Sequence, residues 1–141
     1  MDNWSTFIRD QYKHPRTRLF TWIGLVLILI ALFVGIPDNP PGIVLTYLGT
    51  AFLFLACIHH WREAGQYGTL LAVSVVSFPV LTLLHNVFEV LQDKSGGIPV
   101  VDQLFSGFSV VFFLAAIFVS PVGVGLGIIH GLYYLIRTRS A

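Results

Sequence analysis

Residues 69–92 read TLLAVSVVSFPVLTLLHNVFEVLQ, an apolar run that is long enough to cross a bilayer and that carries one carboxylate. At 3.6 residues per turn, one face of the predicted helix holds four polar side chains, Thr82, His85, Glu89 and Gln92. An ionisable residue inside a membrane span is costly and marks a candidate functional site. Because Glu89 lies about three residues from the end of the run, this cost is smaller than it would be at the bilayer centre.

The composition of the whole chain is that of an integral membrane protein. Of its 141 residues, 55% are hydrophobic and 11% are charged, whereas about 25% of the residues in a soluble domain are charged. So few charges cannot cover a soluble surface, and the lipid bilayer is therefore the first predicted partner. The net charge of +1 gives no reason to expect binding to nucleic acid. The single cysteine, Cys57, allows no intrachain disulfide.

Four apolar runs predict an all-α integral membrane protein, a bundle of four transmembrane helices. Each run is close to, or longer than, the ~20 residues that a bilayer requires. The predicted spans are residues 19–36, 43–61, 69–91 and 104–136 of one domain at 19–137, followed by a tail at 138–141. Short turns, PDNPPG and REAGQYG, join the first three spans. A longer loop precedes the last span, and Asp102 is placed to cap the helix that follows.

Residues 1–18 predict an amphipathic helix at the membrane interface, before the first span. Four apolar side chains, Trp4, Phe7, Ile8 and Tyr12, fall on one side of it. Pro15 would end this helix.

The last apolar run, residues 104–136, is too long for a single straight span. As one α-helix it would measure about 50 Å, whereas a hydrocarbon core is about 30 Å thick. Pro121 lies at its middle, so the run either kinks there or breaks into two pieces.

The distribution of basic residues predicts the orientation of the chain. With four spans, only Lys94 lies on one side, and the other side holds Arg9, Lys13, Arg16, Arg18, Arg62, Arg137 and Arg139. Because basic residues accumulate in cytoplasmic segments, both termini are predicted to be cytoplasmic in the cell membrane.

Small residues at helical spacing predict close helix packing. In the last span Gly123, Gly127 and Gly131 recur every four residues, which lets two helices approach closely in lipid. The expected partner is the second span or another copy of the chain. A homo-oligomer, or a subunit of a larger membrane complex, is therefore expected.

Histidines near the predicted cytoplasmic side suggest one cofactor. His60, or its neighbour His59, would pair with His130 from a parallel span to hold haem b. The competing interpretation places His59, His60 and Trp61 in an interfacial belt whose polar tips reach lipid headgroups.

At the other side, His85 and Glu89 are four residues apart on one helix face. They form either a structural pair, completed by Asn86 or by a serine of the last span, or a passage for protons or a small solute that also uses Thr82. A metal would need a third ligand, and the sequence leaves that question open.

No nucleophile and base occur at a recognisable catalytic spacing, and catalysis is not expected. The leading functional hypothesis is a non-catalytic accessory subunit, assembly factor or self-associating bundle, because the loops are too short to hold a soluble active site. Haem-dependent redox function and solute passage are the alternatives.

Overall fold

A computed structural model describes residues 13–36, 39–95 and 98–139, and these residues are helical apart from short turns. The elements in chain order are α1 (Pro15–Val34), α2 (Pro40–Ile58), α3 (Ala64–Lys94), α4 (Pro99–Leu114), a π-helical segment (Ala115–Val119) and α5 (Ser120–Arg139). No β-strand occurs within these ranges. The predicted all-α class is confirmed. The amphipathic helix predicted over residues 1–18 falls mainly outside the described residues.

Four helical stretches in the described ranges are long and apolar enough to cross a membrane. They are α1, α2, α3 and the continuous stretch Pro99–Arg137. Large apolar side chains on these helices are exposed, up to 85% for Phe33. Such surfaces are stable when lipid or another protein covers them. The prediction of four helices long and apolar enough to span a membrane is confirmed for the described ranges, and these helices suggest a multi-pass membrane protein.

Every span begins three to five residues before its predicted start, and proline explains three of the four differences. Pro15, Pro40 and Pro99 occupy the first turns of α1, α2 and α4. A first-turn N–H has no partner within its helix, so proline loses nothing there and its fixed φ favours the helix. Pro15 therefore begins the first span, where the sequence analysis used it to end the preceding helix.

Helix α3 also begins before its predicted start, and here a capping box explains the difference. The Glu63 side chain accepts from the backbone at the third helical position, and the Gln66 side chain accepts from the Glu63 backbone N–H at 3.3 Å. These reciprocal bonds satisfy donors that otherwise lack a partner. Most of the predicted REAGQYG turn is therefore the first turns of α3.

The last run is one continuous helical stretch, interrupted only in its hydrogen-bond pattern. The π-helical segment Ala115–Val119 ends two residues before Pro121. Proline cannot donate to the carbonyl four residues back and its ring crowds that group. A π turn widens the helix at this point, which accommodates the proline without ending the helix. Of the two predicted arrangements, the structure has the unbroken one.

The contacts divide the chain into two compact units, residues 1–62 and residues 63–141. In the first unit α1 packs against α2. An added Cβ at Gly24 would lie 2.9 Å from the Gly49 carbonyl oxygen, and one at Gly49 would lie 2.9 Å from that of Gly24. The two backbones therefore touch where both helices have glycine. At the connecting turn Gly35 has φ +92°, a conformation that favours glycine.

In the second unit α3 packs against α4, the π-helical segment and α5. An added Cβ at Gly127 would lie 2.9 Å from Leu71 Cβ and 3.0 Å from its backbone nitrogen, whereas one at Gly131 would meet Tyr67 Cβ at 3.6 Å. Within the second unit, Gly127 thus contacts the third span of the same chain, and the predicted contact with the second span or another copy stays a prediction. Whether the two units form the single predicted domain stays a prediction.

The connection between α3 and α4 corrects the role predicted for Asp102. The N-cap of α4 is Ile98, because Pro99 starts the helix, and Asp102 lies inside the first turn. There its carboxylate accepts a hydrogen bond from the hydroxyl of Ser95, the C-cap residue of α3. Asp102 therefore ties two helix ends together, and its charge also favours the N-terminal end of α4.

Candidate functional site

The polar face of α3 meets α4 through one residue, His85. Its Nδ1 lies 2.7 Å from Ser109 Oγ and 3.1 Å from the Ser109 carbonyl oxygen. Ser109 is 6% exposed, so this contact lies between the helices and away from lipid. A buried polar pair satisfied across two helices holds them in one register.

The hydrogen-bond roles at His85 follow from its tautomer. A neutral imidazole has one N–H donor and one acceptor nitrogen. If Nδ1 carries the proton, it donates to Ser109 and Nε2 is an acceptor. If Nε2 carries the proton, the Ser109 hydroxyl donates to Nδ1. The ring can therefore exchange its two states without losing its contact with Ser109.

Glu89 stands next to this pair but does not complete it. The distance from His85 Nε2 to Glu89 Oε2 is 3.9 Å, and the glutamate side chain is 62% exposed. This separation is longer than the ~3.2 Å limit of an ordinary N–H···O bond. Of the predicted partners for the structural pair, a serine of the last span is the one found, and it bonds the imidazole, not the carboxylate.

The other predicted members of the polar face are not joined to His85. Thr82 donates to the Phe78 carbonyl of its own helix at 2.9 Å, a common way for a threonine to satisfy its hydroxyl in a helix. Asn86 is exposed and borders a shallow groove of about 270 Å³ whose other residues are Val87, Val90 and Leu91. The residues share a face, as predicted, without forming one network.

Aromatic packing surrounds the His85 contact. The Phe113 ring centroid lies 5.1 Å from that of His85. One turn further, the Phe88 ring packs against three phenylalanines of α4 at centroid distances of 5.3 to 6.0 Å: Phe105, Phe108 and Phe112. These three phenylalanines are three and four residues apart, a spacing that puts them on one helix face and that could have indicated this contact from the sequence. They hold His85 and Ser109 together in an apolar setting.

A serine next to a histidine is also the beginning of a nucleophilic site, and the geometry argues against that use. The Ser109 hydroxyl is buried, so a substrate carbonyl has no approach to it. Nδ1 also faces the Ser109 carbonyl, which accepts its proton in competition with the hydroxyl. The pair is better suited to holding helices or to passing a proton than to attacking a substrate.

His130, a predicted haem ligand, lies in an aromatic stack. Its ring is stacked on Tyr67 at 5.3 Å, and Tyr67 is also stacked on Tyr134 at 5.5 Å. His130 Nδ1 is 3.2 Å from the Leu126 carbonyl oxygen, so Nδ1–H donates and Nε2 keeps its lone pair. That tautomer suits a metal ligand. His60 and His130 belong to different compact units, and their pairing stays a prediction.

His59 and His60 form the turn after α2. His59 Nδ1 lies 3.2 Å from the Leu55 carbonyl oxygen and 3.1 Å from that of Ala56, so this nitrogen is the donor. The pKa of His60 is lowered, first by burial and then by the nearby charges of His59, Arg62 and His14. The turn therefore places two imidazoles beside the guanidinium of Arg62 at the end of α2.

Fold and site together define a small, all-helical protein with four potential membrane spans. No family model, curated protein or solved structure matches the chain. Within the described ranges no three His, Cys, Asp or Glu side chains lie close enough together to hold a metal ion. Functional arguments therefore rest on the chain's own geometry.

Proposed function

We propose that the protein acts without catalysis, as an accessory subunit, assembly factor or self-associating module of a membrane. The observation that carries this proposal is that polar side chains within the spans find their hydrogen-bond partners in the helices themselves. Thr21 and Thr46 each donate to the carbonyl four residues back at 2.8 Å, and His85 bonds Ser109 across α3 and α4. Exposed apolar helix faces provide the area for lipid and for partner spans.

The proposal includes the finer architecture derived from the sequence. The segment before α1 lies along the inner leaflet as an amphipathic helix, the spans pack as one four-helix bundle, and the protein forms a homo-oligomer or joins a larger complex. Both termini are cytoplasmic, because seven of the eight basic residues then lie inside.

Cysteine labelling tests the orientation. In a Cys57→Ser background, Ser95→Cys is expected to react with a membrane-impermeant maleimide on intact cells. Ser140→Cys is expected to react only after lysis, because the fourth span separates the two positions. Cys57→Ser alone is the control for background labelling. Labelling of both positions from the same side would contradict four spans.

The alternatives are tested on the purified protein. A non-catalytic module is expected to show no Soret absorption and no pH-driven flux above that of empty liposomes. A Soret band that is lost in both His60→Ala and His130→Ala would replace the proposal with haem binding.

Proton passage is the second candidate, and one observation favours it. The two ring nitrogens of His85 face different groups, with Ser109 on Nδ1 and Glu89 on the side of Nε2. An imidazole that is approached on both nitrogens can take up a proton at one and release it at the other.

On this second hypothesis, Glu89→Gln is expected to abolish pH-driven flux in liposomes while leaving the melting temperature nearly unchanged. The stability effect is small because an exposed ion pair contributes only about 0–1 kcal/mol. Lys94→Gln, a change of charge at the same helix end, is the control. Equal flux in wild type, Glu89→Gln and empty liposomes rejects proton passage.

A further inference from the structure

The ends of α1 and α2 opposite the Gly35 turn enclose a cleft of about 380 Å³. It is lined by His14, Pro15, Arg16, His59, His60 and Arg62. The volume is within the ~300–1,000 Å³ that is typical of small-molecule sites. One wall is the first turn of α1, and the other is the turn that follows α2. The cleft therefore belongs to one compact unit.

The side chains that line this cleft are almost all basic. Five of the six described lining residues carry an imidazole or a guanidinium, and none of the six is a carboxylate. Arg16 is exposed and has no hydrogen-bond or ion-pair partner among the described residues. The arrangement is thus a concentration of positive charge within a concave surface, which raises the local concentration of anions.

The backbone holds this charge in position. Arg62 Nη1 donates to the His59 carbonyl at 3.0 Å and to the Trp61 carbonyl at 2.9 Å, which fixes the guanidinium beside the turn. The His59 ring lies at centroid distances of 6.4 Å from His14 and 5.6 Å from His60. Three imidazoles and one fixed guanidinium therefore lie within a short distance of one another.

An anion would relieve the repulsion among these groups. The pKa of His60 is lowered, first by burial and then by His59, Arg62 and His14, so its protonated form is disfavoured beside these groups. A bound anion opposes the charge contribution and favours proton uptake. The first turn of α1 starts at the same place without a side-chain cap, and its dipole also favours a negative group.

We propose that this cleft binds a phosphate group, held by Arg16, Arg62 and the three imidazoles. Guanidinium groups bind phosphate through paired, charge-assisted hydrogen bonds, which makes phosphate a better match than a single-point anion. The site lies at the end of two helices that are apolar enough to span a membrane. Anionic lipid headgroups are concentrated at that level, and basic pockets between spanning helices bind them.

The test is a calorimetric titration of the detergent-solubilised protein with short-chain phosphatidic acid, inorganic phosphate and, as a control, short-chain phosphatidylcholine. Phosphatidic acid is expected to bind, and Arg16→Gln/Arg62→Gln is expected to weaken its binding about tenfold or more. Arg18→Gln removes the same charge from the same helix but does not line the cleft, so it is expected to leave the affinity unchanged. Arg16→Gln alone breaks no bond within the described residues and is expected to give part of the loss.

The two arms distinguish the sources of the phosphate. Binding of phosphatidic acid without binding of inorganic phosphate supports a lipid headgroup, whereas equally variant-sensitive binding of both supports a site for free phosphate as well. The proposal is overturned if neither probe binds, if the double variant binds as well as wild type, or if Arg18→Gln weakens binding equally.

A second measurement tests the imidazoles with inorganic sulfate, an oxyanion that does not titrate near neutral pH. Its affinity is expected to rise as the pH falls from about 8 to about 5, the range in which histidine gains a proton. The groups that face the site from both walls are His14 and Arg16 on one side and His59, His60 and Arg62 on the other. In His60→Gln the rise is expected to be smaller. An affinity that does not change with pH would overturn the role given to the imidazoles.

Discussion

Replacing Gly127 with leucine is expected to destabilise the protein by about 1–3 kcal/mol, the usual cost of overpacking a tight contact. A Cβ at this position would lie 2.9 Å from Leu71 Cβ, 3.0 Å from its nitrogen and 3.1 Å from its Cα. Two of these atoms are backbone, which cannot rotate away as a side chain can. Relief therefore requires α5 to move away from α3, and this movement disrupts the packing around Leu71.

Gly125→Leu is the matched control for this prediction. It makes the same change two residues earlier in the same helix, where an added Cβ meets nothing within 4 Å. Leucine also has a higher helix propensity than glycine, so Gly125→Leu is expected to be neutral or slightly stabilising. The measurement is the thermal unfolding midpoint in a mild detergent. Equal midpoints for the two variants would mean that α5 does not approach α3 at Gly127.

Helix existence was predictable from this sequence, and helix starts were not. Runs of about 20 apolar residues leave few alternatives to spanning helices. The predicted starts depended on how each proline was interpreted, because proline breaks a helix interior but is favourable in the first turn of a helix. Pro15 was interpreted as the end of a helix, and Pro99 was placed in the loop before the last span, because the sequence alone does not show on which side of a proline the helix lies. Glu63 and Gln66 form a capping box that lacks the usual serine or threonine.

The close approach at Gly127 was predictable from the sequence, but its partner, Leu71, was not. Gly127 belongs to a small-residue pattern that indicates a close approach, and the structure has such an approach. The partner of Gly127 depends on which helices pack together and on their register along the helix axis. The residue pattern of a single helix does not contain this information. Leu71 carries no small-residue signal, because here the glycine accommodates the backbone of a helix with a large side chain.

The basic cleft could not be recognised from the local sequence. His14 and Arg16 are more than 40 residues from His59 in the chain, and they come together because α2 packs back along α1. In one of two interpretations of the sequence, His59 and His60 belong to an interfacial belt that reaches headgroups. In the folded hairpin, His14 and Arg16 lie opposite these two histidines, and together they line a concave surface. This concave shape is the basis for proposing a binding site.

The partner of His85 was predictable in kind but not in identity. A serine of the last span was one group expected to complete the pair by donating to Glu89, and three serines occur in that span: Ser106, Ser109 and Ser120. The choice depends on the register between α3 and α4, which the phenylalanines around Phe88 help to set. The sequence also ranked Glu89 as the central residue of the site. In the structure His85 is the central residue, because it bonds Ser109. The Glu89 side chain is mostly exposed, and its Oε2 lies 3.9 Å from His85 Nε2.

His85→Ala is expected to cost more stability than Ser109→Ala. Removing the imidazole deletes a ring packed on Phe113 and leaves the buried Ser109 hydroxyl without its partner, a loss of about 1–3 kcal/mol. Ser109→Ala leaves the Ser109 carbonyl, 3.1 Å from Nδ1, as an acceptor for the imidazole. Ser109→Ala is therefore expected to lose less stability, because it does not remove the hydrogen bond between His85 Nδ1 and the backbone carbonyl of residue 109.

A double-mutant cycle separates the contact from these side effects. The free energies of unfolding of wild type, His85→Ala, Ser109→Ala and the double variant are expected to show a coupling of about 0.5–1.5 kcal/mol, the net contribution of one buried hydrogen bond. Ser106→Ala, a change three residues away on the same helix, is the control and is expected to show no coupling to His85→Ala. Additive losses for His85 and Ser109 would mean that the two side chains do not hold α3 and α4 together. In that case the register of the two helices would rest on the phenylalanines and on the Ser95–Asp102 hydrogen bond, and Phe88→Ala would be expected to have a larger effect than His85→Ala.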